Sequence, residues 1–158
     1  MKKYFFIVAF ILTTFSLSAT DWTSDSYEYE GLQYQRQYAF IDADIFLFRI
    51  FKKPATLVAY YVTSEAEETF LFHLNYNDEL TTNDSDEDQV FNFEIKGYDE
   101  EIQGVRSPGF AEIRLDPQST VHLMNALKNG NETKIILHPS YAKSLRIRLR
   151  MKKDNLQL

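Results

Sequence analysis

Residues 144–151, Ser-Leu-Arg-Ile-Arg-Leu-Arg-Met, alternate apolar and basic side chains without a break from Leu145 on. At the two-residue period of a β-strand, Leu145, Ile147, Leu149 and Met151 share one face and Arg146, Arg148 and Arg150 the other. A slip of one residue would bury three guanidinium groups, so the pattern dictates both register and the face that meets the core.

The residues before it read as a complete unit. Ala111, Ile113 and Leu115 alternate with Glu112 and Arg114, which predicts a strand over 110–115. Asp116-Pro117 then supplies an N-cap carboxylate and a proline at the first helical position, where a missing N–H costs nothing. Val121, Leu123, Met124 and Leu127 recur at helical spacing, and Asn129-Gly130 suits a left-handed stop, so one short helix is expected near 117–128. Lys134 to His138 is a further strand, ended by Pro139.

The chain opens with two lysines, an apolar run from Tyr4 to Phe15 and the small residues Ser16, Ser18 and Ala19. That order is the pattern of a secretory signal peptide, expected at 1–19, with a single β-rich domain at 20–158. No later apolar run is long enough to span a membrane as a helix. There is no cysteine, so disulfides cannot staple the fold, and its stability must come from an ordinary core. Removing Lys2 and Lys3 leaves 15 basic against 23 acidic residues, a net charge near −8 that argues against nucleic acid as a partner. The charge is polarised: residues 65–101 hold 13 acids and one lysine, whereas 128–153 hold eight basic residues and one acid.

The remaining strands are expected at 32–41, 44–51, 56–63, 69–76 and 90–96. The run Ile45 to Phe51 is nearly continuous in apolar residues and reads as a strand covered on both faces. Seven or eight short strands with turn residues between them favour a mainly β, single-domain antiparallel β-sandwich, with a small β-barrel as the alternative.

Chemistry is sparse. His73, His122 and His138 lie on different elements, and the sequence has no nucleophile elbow, phosphate loop or cofactor motif, so neither an enzyme nor a bound cofactor is expected. Asp84, Asp86 and Asp88 match the first three ligand positions of a calcium loop, but Gln89 and Ile95 stand where glycine and glutamate are required. The candidate binding surface is the tyrosine-rich start, Trp22, Tyr27, Tyr29 and Tyr34, together with Arg146, Arg148 and Arg150, facing another protein or an anionic envelope surface.

Asp21-Trp22 near the start, the central strands, the strand before a short helix, and Leu127-Lys128-Asn129-Gly130 before a strand pair together resemble the invasion-associated locus B family of exported bacterial proteins, although this chain lacks the cysteines that members usually carry. The resemblance covers mainly the C-terminal third. It implies a periplasmic β-sandwich without catalytic residues, acting at the envelope or in host interaction. The function expected is therefore that of an exported, non-enzymatic interaction protein, with a small-ligand-binding β-barrel carrier as the alternative. Protein expressed with its leader should be cut between Phe15 and Trp22; intact-mass measurement of the periplasmic form checks this, and a species beginning at Met1 there contradicts it.

Overall fold

The computed structural model describes residues 21–76, 79–129, 132–152 and 156–157; the leader at 1–19, Asp78 of the acidic stretch and Gly130 at the helix stop lie outside them. Among these residues there are ten strands, β1 (Thr23–Tyr29), β2 (Leu32–Leu47), β3 (Phe51–Thr63), β4 (Glu68–Tyr76), β5 (Glu79–Leu80), β6 (Gln89–Ile95), β7 (Tyr98–Arg106), β8 (Glu112–Leu115), β9 (Glu132–Pro139) and β10 (Leu145–Lys152), and one helix, α1 (Pro117–Lys128). Every pairing is antiparallel. The order β2-β10-β9-β6-β7-β8-β4-β3 closes on itself because β3 pairs back onto β2.

The protein is thus an eight-stranded antiparallel β-barrel, the alternative rather than the sandwich expected from strand spacing. The reason lies in β2. The segments expected as separate strands at 32–41 and 44–51 are one continuous strand through Asp42-Ala43-Asp44, and the hairpin turn falls at 48–50. A strand of 16 residues is long enough to hold β3 along one edge, from Gln35↔Thr63 to Leu47↔Phe51, and to give its other edge first to β1 and then to β10. Three strands were not expected at all, the two-residue β5 among them. All of β1 is exposed, so it carries no apolar signal, and in β7 the inward positions are Ile102, Gly104 and Arg106, which do not read as alternation.

An eight-stranded barrel has an interior just wide enough for side chains to fill. Here it is filled by an aromatic chain, Tyr61–Phe70 (4.9 Å between centroids), Phe70–Phe72 (6.2 Å) and Phe72–Phe93 (5.3 Å), with Ile113, Leu115, Ile135, Leu137 and Ile147 around it. Each such side chain stabilises the fold by about 2–3 kcal/mol through burial. Gly104 marks where the wall leaves no room: a Cβ there would stand 2.6 Å from Ile113 Cγ2 and 3.2 Å from Phe93 Cε2.

The helix completes the wall. β8 has only four residues, and pairs with β7 at Gly104 and Val105 and with β4 from Leu71 to His73. The backbone N–H groups just beyond, of Gln103 and Phe70, donate instead to Ser119 Oγ (2.9 Å) and Thr120 Oγ1 (3.4 Å) on α1. Two polar residues are therefore buried on a helix, and they satisfy donors that a longer strand would have used. Asp116 caps the helix as its sequence predicts, accepting from Ser119 N–H and Oγ at 2.8 Å each. Burial alone would raise its pKa, but these hydrogen bonds prevail and hold it below the usual carboxylate value. Leu123 and Leu127 face the core as expected, with Met124 half-buried against it, whereas Val121 is 50% exposed; Ala126 takes the inward place instead.

Strand alternation in β10 holds as read: Ile147, Leu149 and Met151 are buried and Arg148 and Arg150 exposed. Ile147→Asp should therefore cost several kcal/mol, against less than about 1 kcal/mol for Arg148→Asp. Urea unfolding midpoints check this; equal losses would contradict the assigned face.

Candidate functional site

The interior being packed, the concave surface lies on the outer wall. On its outward edge, β2 is paired with β1 up to Thr23↔Tyr38 and with β10 only from Ala43↔Leu149 onward. Where the two ladders part, a groove of about 820 Å³ opens across β2, β10, β9 and β6. Strand alternation supplies its lining: Phe40, Asp42, Asp44 and Phe46 point outward from β2 while Ala39, Ile41 and Ala43 point inward. Arg148 and Arg150 come from β10, Lys134 and Ile136 from β9, and Glu94 and Lys96 from the β6 end.

The charges in this groove are unequally engaged. Asp44 pairs with Lys52 (3.0 Å), Glu94 with His138 (3.0 Å) and Glu132 with Arg150 (3.7 Å). Arg148 lies over the Phe46 ring, 4.4 Å from its centroid, so its flat face is occupied and its N–H edge is left for a ligand. Among the described residues no ion pair holds Lys96, Lys134 or Arg148, and Asp42 is the one lining acid without a cation. The net effect is an anion-attracting groove with two aromatic rings, Phe40 and Phe46.

The tyrosine-rich segment forms a belt beside it. Tyr27 and Tyr34 stack at 5.2 Å with rings 8° apart, and the Arg36 guanidinium lies 5.4–5.7 Å from the rings of Tyr27, Tyr38 and Tyr60. Arg36 also grips Asp25 through two hydrogen bonds, which lower the Asp25 pKa and raise its own. Tyr38 meets Phe40 edge-on at 6.2 Å, so the belt runs into the groove. At its other end Tyr60 packs on His73 at 5.0 Å.

Of the residues singled out by sequence, Tyr27 and Tyr34 are brought together, and Arg148 and Arg150 line the groove. Tyr29 stands 60% exposed at the far end of β1, and Arg146 lies opposite Phe46 outside the groove lining. Trp22 belongs to the core: it is 6% exposed and its indole N–H donates to the Lys152 carbonyl at 2.9 Å, pinning the residues that lead into β1 to the end of β10. Glu132 of β9 screens Arg150 (3.7 Å), and Arg114 of β8 pairs with Glu67 (3.1 Å). Sequence reasoning missed Phe40, Phe46, Lys96 and Lys134. The outward alternation Phe40-Asp42-Asp44-Phe46 was the available signal, hidden because the facing residues Ala39 and Ala43 are small.

No three histidine, aspartate or glutamate side chains gather as a metal site among the described residues. The loop after β5 is tied down by Asn83, 1% exposed, whose amide donates to the carbonyls of Glu87 (2.8 Å) and Arg106 (2.9 Å) while its oxygen accepts from Ser85. No helix among the described residues is long and apolar enough to cross a membrane. No protein-family model, no curated protein and no solved structure matches this chain.

His73 gives the belt a pH dependence. Burial lowers its pKa, and Glu112 opposite it, 3.9 Å away, pulls the other way more weakly. With the folded pKa below the unfolded value of about 6.5, the contribution is complete above that pH and is lost as pH falls toward the folded value. The urea midpoint should thus decline as the solution is acidified from neutral through pH ~6, and His73→Gln should flatten that part of the curve; an unchanged slope would contradict the assignment.

Proposed function

We propose that this is an exported, non-enzymatic binding protein: a small-ligand-binding β-barrel that holds an anionic, partly apolar ligand on its outer wall. The observation that carries the reading is the groove containing Lys96, Lys134 and Arg148 without ion pairs beside Phe40 and Phe46. An anionic headgroup would be met by the three cations, and an apolar or aromatic portion would lie along the two rings. The barrel fold supports the carrier over the sandwich-type interaction protein, but with the ligand outside rather than within, because aromatic side chains fill the interior. Export rests on the leader pattern, and a role at the cell envelope is also what the resemblance to the invasion-associated locus B family implies.

The probe is 1-anilinonaphthalene-8-sulfonate, which combines aromatic rings with one sulfonate. Saturable binding to the parent is expected, and Lys134→Gln/Arg148→Gln should weaken it by roughly ten-fold or more while thermal unfolding changes little. Binding that is absent in the parent, or equal in the variant, would overturn the reading.

A further inference from the structure

The run Ile45 to Phe51 reads as a doubly covered strand, yet the structure exposes most of it. Beyond Thr56, the last residue of β3 paired with β4, the outer edge of β3 pairs with no strand among the described residues, while β2 stays paired with β10 as far as Leu47↔Leu145, so the hairpin ends as a fingertip at the rim of the barrel wall. At its tip Leu47 is 42% exposed, Phe48 63%, Ile50 78% and Phe51 62%. The turn itself is conformationally costly: Phe48 and Arg49 both have positive φ, 51° and 61°, where Asn-Gly would be ordinary. The hairpin at the other end of β2 meets the same demand with glycine at one of its two positions, Glu30 at φ 51° and Gly31 at φ 79°. Four large apolar side chains are thus presented to solvent by a turn whose own geometry would be better served by small residues.

The charge around the tip gives the occupant. This acidic chain has no acid between Ile45 and Lys53, whereas Arg49, Lys52 and Lys53 lie within it. The β9–β10 connection adds Lys143 and the start of β10 adds Arg146, and the connection is held against the tip by Phe48 N–H donating to the Ser144 carbonyl at 3.0 Å. The acidic loop at 82–88 leaves the same end of the barrel but crosses its mouth to β6 along the β7–β8 connection, where Asn83 N–H donates to the Phe110 carbonyl and Gly109 N–H to the Asn83 carbonyl, so the cations flank the β2–β3 side of that end and the acids the β7–β8 side. We propose that the β2–β3 fingertip inserts into the interface of an anionic lipid bilayer, with Phe48, Ile50 and Phe51 among the acyl chains and the surrounding cations on lipid phosphates. Apolar insertion combined with a cationic collar is the pairing that gives stable but reversible attachment. The Arg148 and Lys134 groove opens on the barrel wall below, so attachment would leave it accessible.

The test is sedimentation of the protein, after removal of its leader, with vesicles of phosphatidylglycerol and phosphatidylcholine in equal parts, and with vesicles of phosphatidylcholine alone. The parent is expected to sediment with the anionic vesicles, more weakly as salt rises, and poorly with the neutral ones. Phe48→Ser/Ile50→Ser/Phe51→Ser should lower the apparent affinity by at least about ten-fold, and Arg49→Gln/Lys143→Gln by about five-fold per charge. Both variants should keep the parent's urea midpoint or exceed it, since neither removes a buried contact. Lys134→Gln/Arg148→Gln should bind vesicles as the parent does, so that failure of the groove reading and failure of this one are separable. Parent protein that ignores anionic vesicles, or a serine variant that binds as well as the parent, overturns the proposal. So does a parent dimer in sedimentation velocity that becomes monomeric in the serine variant without any vesicle binding, which would assign the tip to a second copy of this chain.

Discussion

The pairing of β2 with the whole of β3, from Gln35 to Leu47, while the opposite edge of β2 passes from β1 to β10, is the constraint from which the architecture follows. A strand hydrogen-bonded on both edges to the two ends of the sheet leaves no open edge in the barrel. Closure then dictates the interior volume, and the inward rows of β4 and β6, with Phe70, Phe72 and Phe93, are what fill it. Glycine at 104 is the accommodation on β7, between β6 and β8, where Ile113 and Phe93 approach the backbone too closely for any side chain.

Closure also accounts for the helix and the groove. β8 is too short to pair with its neighbours along their whole length, and α1 offers Ser119 and Thr120 to the donors that remain. At the other weak point, the exchange of partners along β2, nothing comparable fills the gap, and the outward side chains of four strands converge there. The structural compromise and the candidate site are therefore the same feature, a place where the sheet's own geometry leaves a hollow with unpaired cations.

Strong local signals were readable in the sequence. The β10 register, the Asp116 cap and the bounds of α1 are specified by near neighbours, and tertiary structure had only to accept them. The barrel was less legible than the sandwich because closure depends on which strands find each other across the chain, as Ala39 does with Ala59, and no periodicity within one strand encodes that. β1 and β7 escaped for a different reason: one packs no apolar side chain, and the other turns glycine and arginine inward. The apolar run 45–51 misled because hydrophobicity in sequence cannot distinguish a buried strand from an exposed fingertip. Of the site, the arginines were found, but their aromatic and lysine companions lie on strands remote in sequence.

The central claim is that the barrel is solid and binds on its outside. It is tested most directly by following backbone amide resonances of the isotope-labelled protein as 1-anilinonaphthalene-8-sulfonate is added. The account predicts shifts concentrated at Phe40, Asp42, Phe46, Lys134 and Arg148, with the amides of inward-facing Phe70, Phe72 and Leu137 unmoved. Shifts centred on those inward-facing positions would place the ligand inside the barrel and contradict it.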